Sequence, residues 1–406
     1  MNKKNNHSKL VYTNAEQLQS AVIDWLRLPL ALAVVFIHSF GSPKNVDMVR
    51  LHTDPLCWQS IYDFVRIAGS NVITHCAVPT FFMISGFLFF YKVQEWNFSV
   101  YKVKLKKRFW SLLVPYLLWI MLFILHTEIF KLGGVLLHGK PLSGMWKYVT
   151  DNGGLNMLWD STLWGGYYVD VLGRPAPMTS PVLVPLWFVR DLMVVVVFSP
   201  LIHWLIEKFS FISVLFFGVC YMCRIFIPIH GFSATCFFFF SLGAYFSIRG
   251  KNMVLILSQY RYPAYIIAFL SMVILVWFNG RKGDEMSPQP QCIHFMYYIY
   301  VVSAVISSVS IACKLLKSSR VGVNYWMAKA TFFIFLSHAF VLGYVSRFTH
   351  HFIPTDCYPV LTIEYLLRPI ITTIICLAIY WILERYVPRV LAVLTGGRLN
   401  NINIHS

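Results

Sequence analysis

Ten runs of mostly apolar residues alternate with polar segments along the chain, at about 21–40, 72–91, 109–130, 186–206, 210–228, 232–248, 263–279, 293–313, 330–348 and 366–384. A helix of about 20 apolar residues crosses a hydrocarbon core roughly 30 Å thick. The pattern therefore predicts an all-α polytopic membrane protein with about ten transmembrane helices. A polar tail at 1–20 precedes a membrane domain at 21–390, and a short tail at 391–406 follows it. The first run contains Arg27 and Pro29 and many spans follow it, so it reads as a retained helix and not a cleaved leader. No internal repeat is evident, which argues against an inverted-repeat transporter.

Most connecting segments are short. The exception is 133–185, whose 53 residues hold Trp159, Trp164, Gly165, Gly166, Tyr167 and Tyr168 among Asn and Asp. Long loops without clear helices are often functional. Flat rings that stack on C–H faces, beside groups that take hydroxyls, suit sugar binding. An aromatic belt at the membrane interface is the competing reading.

Composition narrows the class. The chain of 406 residues is 57% apolar, 17% aromatic and only 13% charged, against roughly 25% charged in soluble domains. This excludes a disordered chain, an ordinary nucleic-acid-binding domain and a standard soluble enzyme. The net charge of +17 is a topology signal. With the N-terminus in the cytoplasm, 20 of the 34 Lys and Arg fall in inside segments, including Lys102, Lys104, Lys106, Lys107 and Arg108. Eight fall outside, among them Lys44, Arg66 and Arg174, and the acids Asp63, Asp160 and Glu364 are assigned outside as well. The bias predicts N-in and C-in, hence an even number of spans. Nine cysteines make no disulfide scaffold, and the lone pair Cys220 and Cys223 lacks the second pair a structural zinc needs, so no metal is expected.

Ionisable residues inside spans are functional candidates by default. Arg27 and His38 are eleven residues apart, three turns plus about 20°, so they share one face of the first helix, roughly 16 Å apart along its axis. Arginine suits an anionic donor, and a neutral imidazole can accept a hydroxyl proton. The bland alternative pairs Arg27 with Asp24 and ties His38 to a buried carbonyl. Ser85 and Gly86 in the second span suit either close helix packing or a substrate site. Lys104, Lys107 and Arg108 form either a headgroup anchor or a cationic mouth. Trp187 reads as an interface anchor, while Arg190 and Asp191 point in different directions and are expected to bind other helices. His338 is a second intramembrane histidine, with structural and chemical roles both open.

Taken together these strings resemble the integral-membrane acyltransferase family 3, whose members O-acylate bacterial surface glycans. The resemblance rests on Arg27-x10-His38 after Asp24, Pro79-x-Phe81-Phe82-x-x-Ser85-Gly86-Phe87 and Pro115-Tyr116 after a basic stretch. It continues through Leu186-Trp187-Phe188-Val189-Arg190-Asp191-Leu192, the late Phe335-Leu336-Ser337-His338, and Glu384-Arg385 before Pro388. One feature departs from it. Many members carry two arginines three apart before the third helix, whereas Arg108 is followed by Ser111, so the donor contact shifts to Lys104, Lys107 or Arg108.

The resemblance implies an enzyme of the bacterial inner membrane that moves an acyl group, most simply acetyl from acetyl-CoA, to a sugar hydroxyl of a surface polysaccharide or its lipid-linked precursor. His38 and Arg27 are the expected catalytic pair. Ser85, Gly86, Trp187, Arg190 and His338 are expected to shape the substrate site. Partners are then the acyl-CoA donor, the glycan acceptor and membrane lipids, with no nucleic acid and no permanently bound cofactor. A transporter or flippase of a lipid-linked glycan is the alternative, since it shares the many spans and intramembrane charges.

Overall fold

The computed structural model describes residues 14–41, 56–139, 146–151, 153–161, 166–169, 175–178, 180–225, 227, 229–280, 291–353 and 357–397. Trp164, Gly165, Lys44 and Arg174 lie outside the described residues, as do most of both terminal tails. The fold is helical. Among the described residues, seven helical segments are long and apolar enough to cross a membrane: Ala15–His38, Trp58–Phe90, Phe98–His138, Arg261–Phe278, Cys292–Lys317, Tyr325–Phe352 and Tyr358–Tyr386. An eighth, Val184–Val197 with Ser199–Phe209, is bent by 60°, and Phe211–Met222 and Ala234–Ile248 are shorter apolar helices. Each of the ten runs read from the sequence lies on one of these.

Helix α1 (Ala15–His38) begins six residues before the first apolar run, because the side chain of Asn14 caps it by accepting from the Glu16 N–H. Its first turns are not a free tail: buried Gln19 accepts from the N–H of Met253 at 2.7 Å. The second span is a relay. Helix α2 (Trp58–Arg66) passes through a π turn at Ile67–Val72 and a 3-10 turn at Ile73–Cys76 into α3 (Ala77–Phe90). Such breaks inside a span mark strain or function. Helix α4 (Phe98–Arg108) carries the basic cluster and leads through a π turn into α5 (Val114–His138). Helix α5 runs past Gly133 and Gly134, where the long loop was expected to begin. It stops where Gly139 takes the left-handed conformation at φ +62° that ends helices readily.

The described part of the 133–185 segment holds α6 (Lys147–Asp151), a 3-10 turn at Gly154–Leu158, and an antiparallel ribbon of β1 (Gly166–Val169) with β2 (Pro175–Met178), Tyr167 opposite Pro177. There follow α7 (Trp187–Val197), α8 (Ser199–Phe209), α9 (Phe211–Met222), α10 (Ala234–Ile248), α11 (Met253–Gln259), α12 (Arg261–Gly280), α13 (Gln291–Lys317), α14 (Tyr325–Phe352), α15 (Tyr358–Tyr386) and α16 (Pro388–Leu394). Helix α16 is docked and not a free tail: Leu391 is fully buried, and the Trp119 indole N–H donates to the carbonyl of Leu394 at 3.0 Å.

The core centres on α1, α3, α10 and α14, with Phe82, Met83, Phe239 and Phe240 fully buried. Helices α3 and α10 cross backbone to backbone. A Cβ on Gly86 would collide with the carbonyl of Phe240, and one on Gly243 with the carbonyl of Met83. Small residues at a crossing allow this approach in a bilayer, where van der Waals packing must do what hydrophobic exclusion does in water.

Candidate active site

Helix α1 delivers His38 at its last residue, where the next turn leaves the helix. Helix α14 brings His338 beside it, with ring centroids 5.3 Å apart and planes tilted by 41°. His338 is fully buried. Its Nδ1 lies 2.8 Å from the carbonyl of Phe335 and 3.1 Å from that of Ile334. Carbonyls only accept, so Nδ1 carries the hydrogen and Nε2 is left as an acceptor. That Nε2 is buried and has no hydrogen-bond partner among the described residues. Buried polar atoms are nearly always paired, so the exception calls for a chemical explanation.

A ring path leads from this pair towards the start of α7. His338 lies 6.1 Å from Phe335, Phe335 is 5.3 Å from Phe188, Phe188 is 4.6 Å from Phe82, and Phe82 is 6.3 Å from Trp187. The structure thus joins three predicted site residues, His38, His338 and Trp187, through one aromatic wall. Ser85, one turn along α3 from Phe82, is half-buried. Gly86 faces Phe240 at the helix crossing.

The remaining candidates lie elsewhere. Arg27 is paired with Asp24 at 3.3 Å, as the bland reading had it, with a third of its side chain still exposed. Arg190 and Asp191 pair with each other at 3.0 Å, against the expectation that they reach for separate helices. In the first turn of α7 the guanidinium folds back, and its Nη1 donates to the carbonyl of Trp159 at 2.8 Å. Lys104 donates to the carbonyl of Phe89 at 2.6 Å and, like Arg108, lies against the Phe89 ring. Both cations therefore sit at the negative end of α3. Lys107 is exposed.

Sequence reasoning missed three groups around His38. His75, in the 3-10 turn, bonds through Nδ1 to the hydroxyl of Tyr297 at 2.6 Å and is close enough to His38 to interact electrostatically. The break in the second span was the signal, but an apolar run conceals it. Arg66, counted as an outer-loop cation, is instead fully buried: it pairs with Asp63 at 3.0 Å and donates to the carbonyl of Phe40 at 2.8 Å. Arg368 is paired with Glu364, which is likewise buried and not in an outer loop, and donates to the carbonyls of Gly41 at 2.8 Å and Ser39 at 3.3 Å. Ser70 adds a hydroxyl donated to the carbonyl of Phe36 at 2.5 Å. Buried side chains thus hold the carbonyl of Phe36 in the last turn of α1 and those of Ser39, Phe40 and Gly41 just after it, on both sides of His38.

A bundle of long apolar helices, with paired histidines and buried arginines at one helix end, defines a multi-pass membrane protein. The chain belongs to the acyltransferase 3 family, whose acyltransferase-domain model matches residues 21–385, and it is a membrane acyltransferase. Among its relatives is the succinoglycan biosynthesis protein ExoH of Rhizobium meliloti (strain 1021), 24% identical over 386 residues, which span 93% of this chain and 92% of that protein. No solved structure matches the chain.

Proposed function

We propose that this acyltransferase moves an acyl group, most simply acetyl from acetyl-CoA, to a sugar hydroxyl of a bacterial surface polysaccharide or its lipid-linked precursor. The observation that carries the reading is the contact of His38 with His338, whose unprotonated Nε2 has no partner among the described residues. Two imidazoles held side by side at the end of a gripped helix can take a proton from an acceptor hydroxyl as its oxygen attacks the acyl carbonyl, and return it to the departing thiolate. His38 is the base and His338 its neighbour in the proton path. Arg27, with Lys107 at the mouth, attracts the anionic part of the donor. Ser85, Trp187 and the aromatic wall line the approach. A relative named for succinoglycan biosynthesis supports a polysaccharide acceptor. The protein lies in the inner membrane with ten spans and both termini in the cytoplasm.

The test is transfer of radiolabel from acetyl-CoA into glycan by purified protein. His38→Ala and Arg27→Ala are expected to lose transfer while eluting as folded protein. Full transfer by folded His38→Ala would remove His38 from this role. Glycan movement without donor consumption would favour a flippase instead.

A further inference from the structure

We infer that Trp159, Asp160 and His230 form a subsite for a neutral sugar unit of the acceptor, at the start of α7. The inference rests on the proposed reading that the acceptor is a polysaccharide. His230 Nδ1 lies 2.7 Å from Asp160 Oδ2, and about a third of each side chain is exposed. Trp159 is 38% exposed, and its indole N–H donates to the carbonyl of His230 at 3.2 Å. An exposed His–Asp pair alone means little. The framework beneath this one changes the weighing.

The buried Arg190–Asp191 pair, each residue 3% exposed, packs against Trp159. Burying such a pair is expensive, and it rarely beats an apolar replacement for stability. Here its guanidinium holds the carbonyl of Trp159 and lies 5.9 Å from the indole ring. Backbone bonds tie the strip on both sides: Trp159 and Asp160 donate to the carbonyl of Asn156, Ser161 to that of Ser180, and Val182 to that of Met157. The hydroxyl of Tyr116 donates to the carbonyl of Leu158. Gly231, at φ +99°, lets the 229–231 turn close on Trp159; a Cβ there would lie 3.2 Å from the indole Cζ2 and 2.8 Å from Val194.

Rigid support of this kind is what a recognition group requires and a casual surface pair lacks. With Nδ1 engaged by the carboxylate, His230 Nε2 and Asp160 Oδ1 are left to hydrogen-bond neighbouring hydroxyls, and the indole offers a face to sugar C–H groups. The trio carries no net cationic charge to attract a phosphate, so a neutral hexose unit fits it better than the nucleotide end of a donor.

The experiment measures steady-state transfer of [14C]acetyl from acetyl-CoA by the full-length protein, with polysaccharide from the host bacterium as acceptor. Trp159→Ala, Asp160→Asn and His230→Gln are expected to raise the acceptor KM about tenfold, the effect of losing one good contact. Trp159→Phe is expected to stay within about threefold, because a phenyl ring still stacks. The donor KM is expected to stay near wild type in all four. An unchanged acceptor KM in the isosteric Asp160→Asn and in Trp159→Ala, with wild type active, overturns the subsite alone. A wild type that acylates no polysaccharide overturns the proposed function and the subsite with it.

Discussion

The residues that hold His38 are as informative as His38 itself. Arg368 and Glu364 form a buried pair whose guanidinium also serves two carbonyls beyond α1. Removing one partner leaves a buried charge alone, which costs about 3–5 kcal/mol. Arg368→Met is therefore expected to lower the Tm in detergent markedly, and Glu364→Leu with Arg368→Met to lower it less than the single change. If the double variant is no more stable than the single one, Arg368 acts through the α1 carbonyls and not through Glu364. Little of this was legible in the sequence. Arg27 and His38 stand out because one helix carries both, and their spacing alone puts them on one face. Arg66, Arg368 and His75 depend on partners 26 to 329 positions away, and no local pattern encodes those. Arg66 in particular reads as a loop charge, since Asp63 beside it gives a polar stretch whose burial only the tertiary fold decides.

At the scale of elements, apolar periodicity located the helices and misplaced their ends. The first begins early because of one asparagine cap. The second is longer than its apolar run because α2 is amphipathic and joins α3 through two irregular turns. Ser85 and Gly86 were one candidate pair, yet the crossing separates them: Gly86 of α3 packs against the backbone of Phe240 in α10, while Ser85 is half-buried. Gly86→Ala forces backbone apart at α3 and α10, and overpacking of this kind costs roughly 1–3 kcal/mol. The expected result is a lower Tm and a lower monodisperse fraction on size exclusion, with Gly243→Ala behaving alike because the same crossing is wedged from its other side. Ser85→Ala is expected to leave the Tm near wild type, since it removes one half-buried hydroxyl without adding bulk at the crossing.

For the whole molecule, the proposed ten-span, N-in arrangement would make opposite faces chemically distinct. In a variant stripped of its native cysteines, a cysteine at exposed Lys107 is expected to react with an impermeant maleimide only when the cytoplasmic face is open. One at Leu155, 84% exposed, is expected to react in intact spheroplasts. Labelling of both from the same side would refute the arrangement. The charge bias predicts which side each loop occupies, but it cannot show how far each helix reaches. Helix α9 has twelve residues and rises about 18 Å, against a hydrocarbon core of roughly 30 Å. One face, Ile212, Leu215, Phe216 and Val219, is apolar and exposed, and on the proposed ten-span topology it would present lipid with a wall shorter than the hydrocarbon core. On the proposed topology the bilayer would thin there, and hydrophobic mismatch would make acyl-chain length a variable of the enzyme itself. In proteoliposomes, transfer is expected to run faster in short-chain than in long-chain phosphatidylcholine. The enzyme would then read the thickness of the membrane it serves as well as the glycan it modifies.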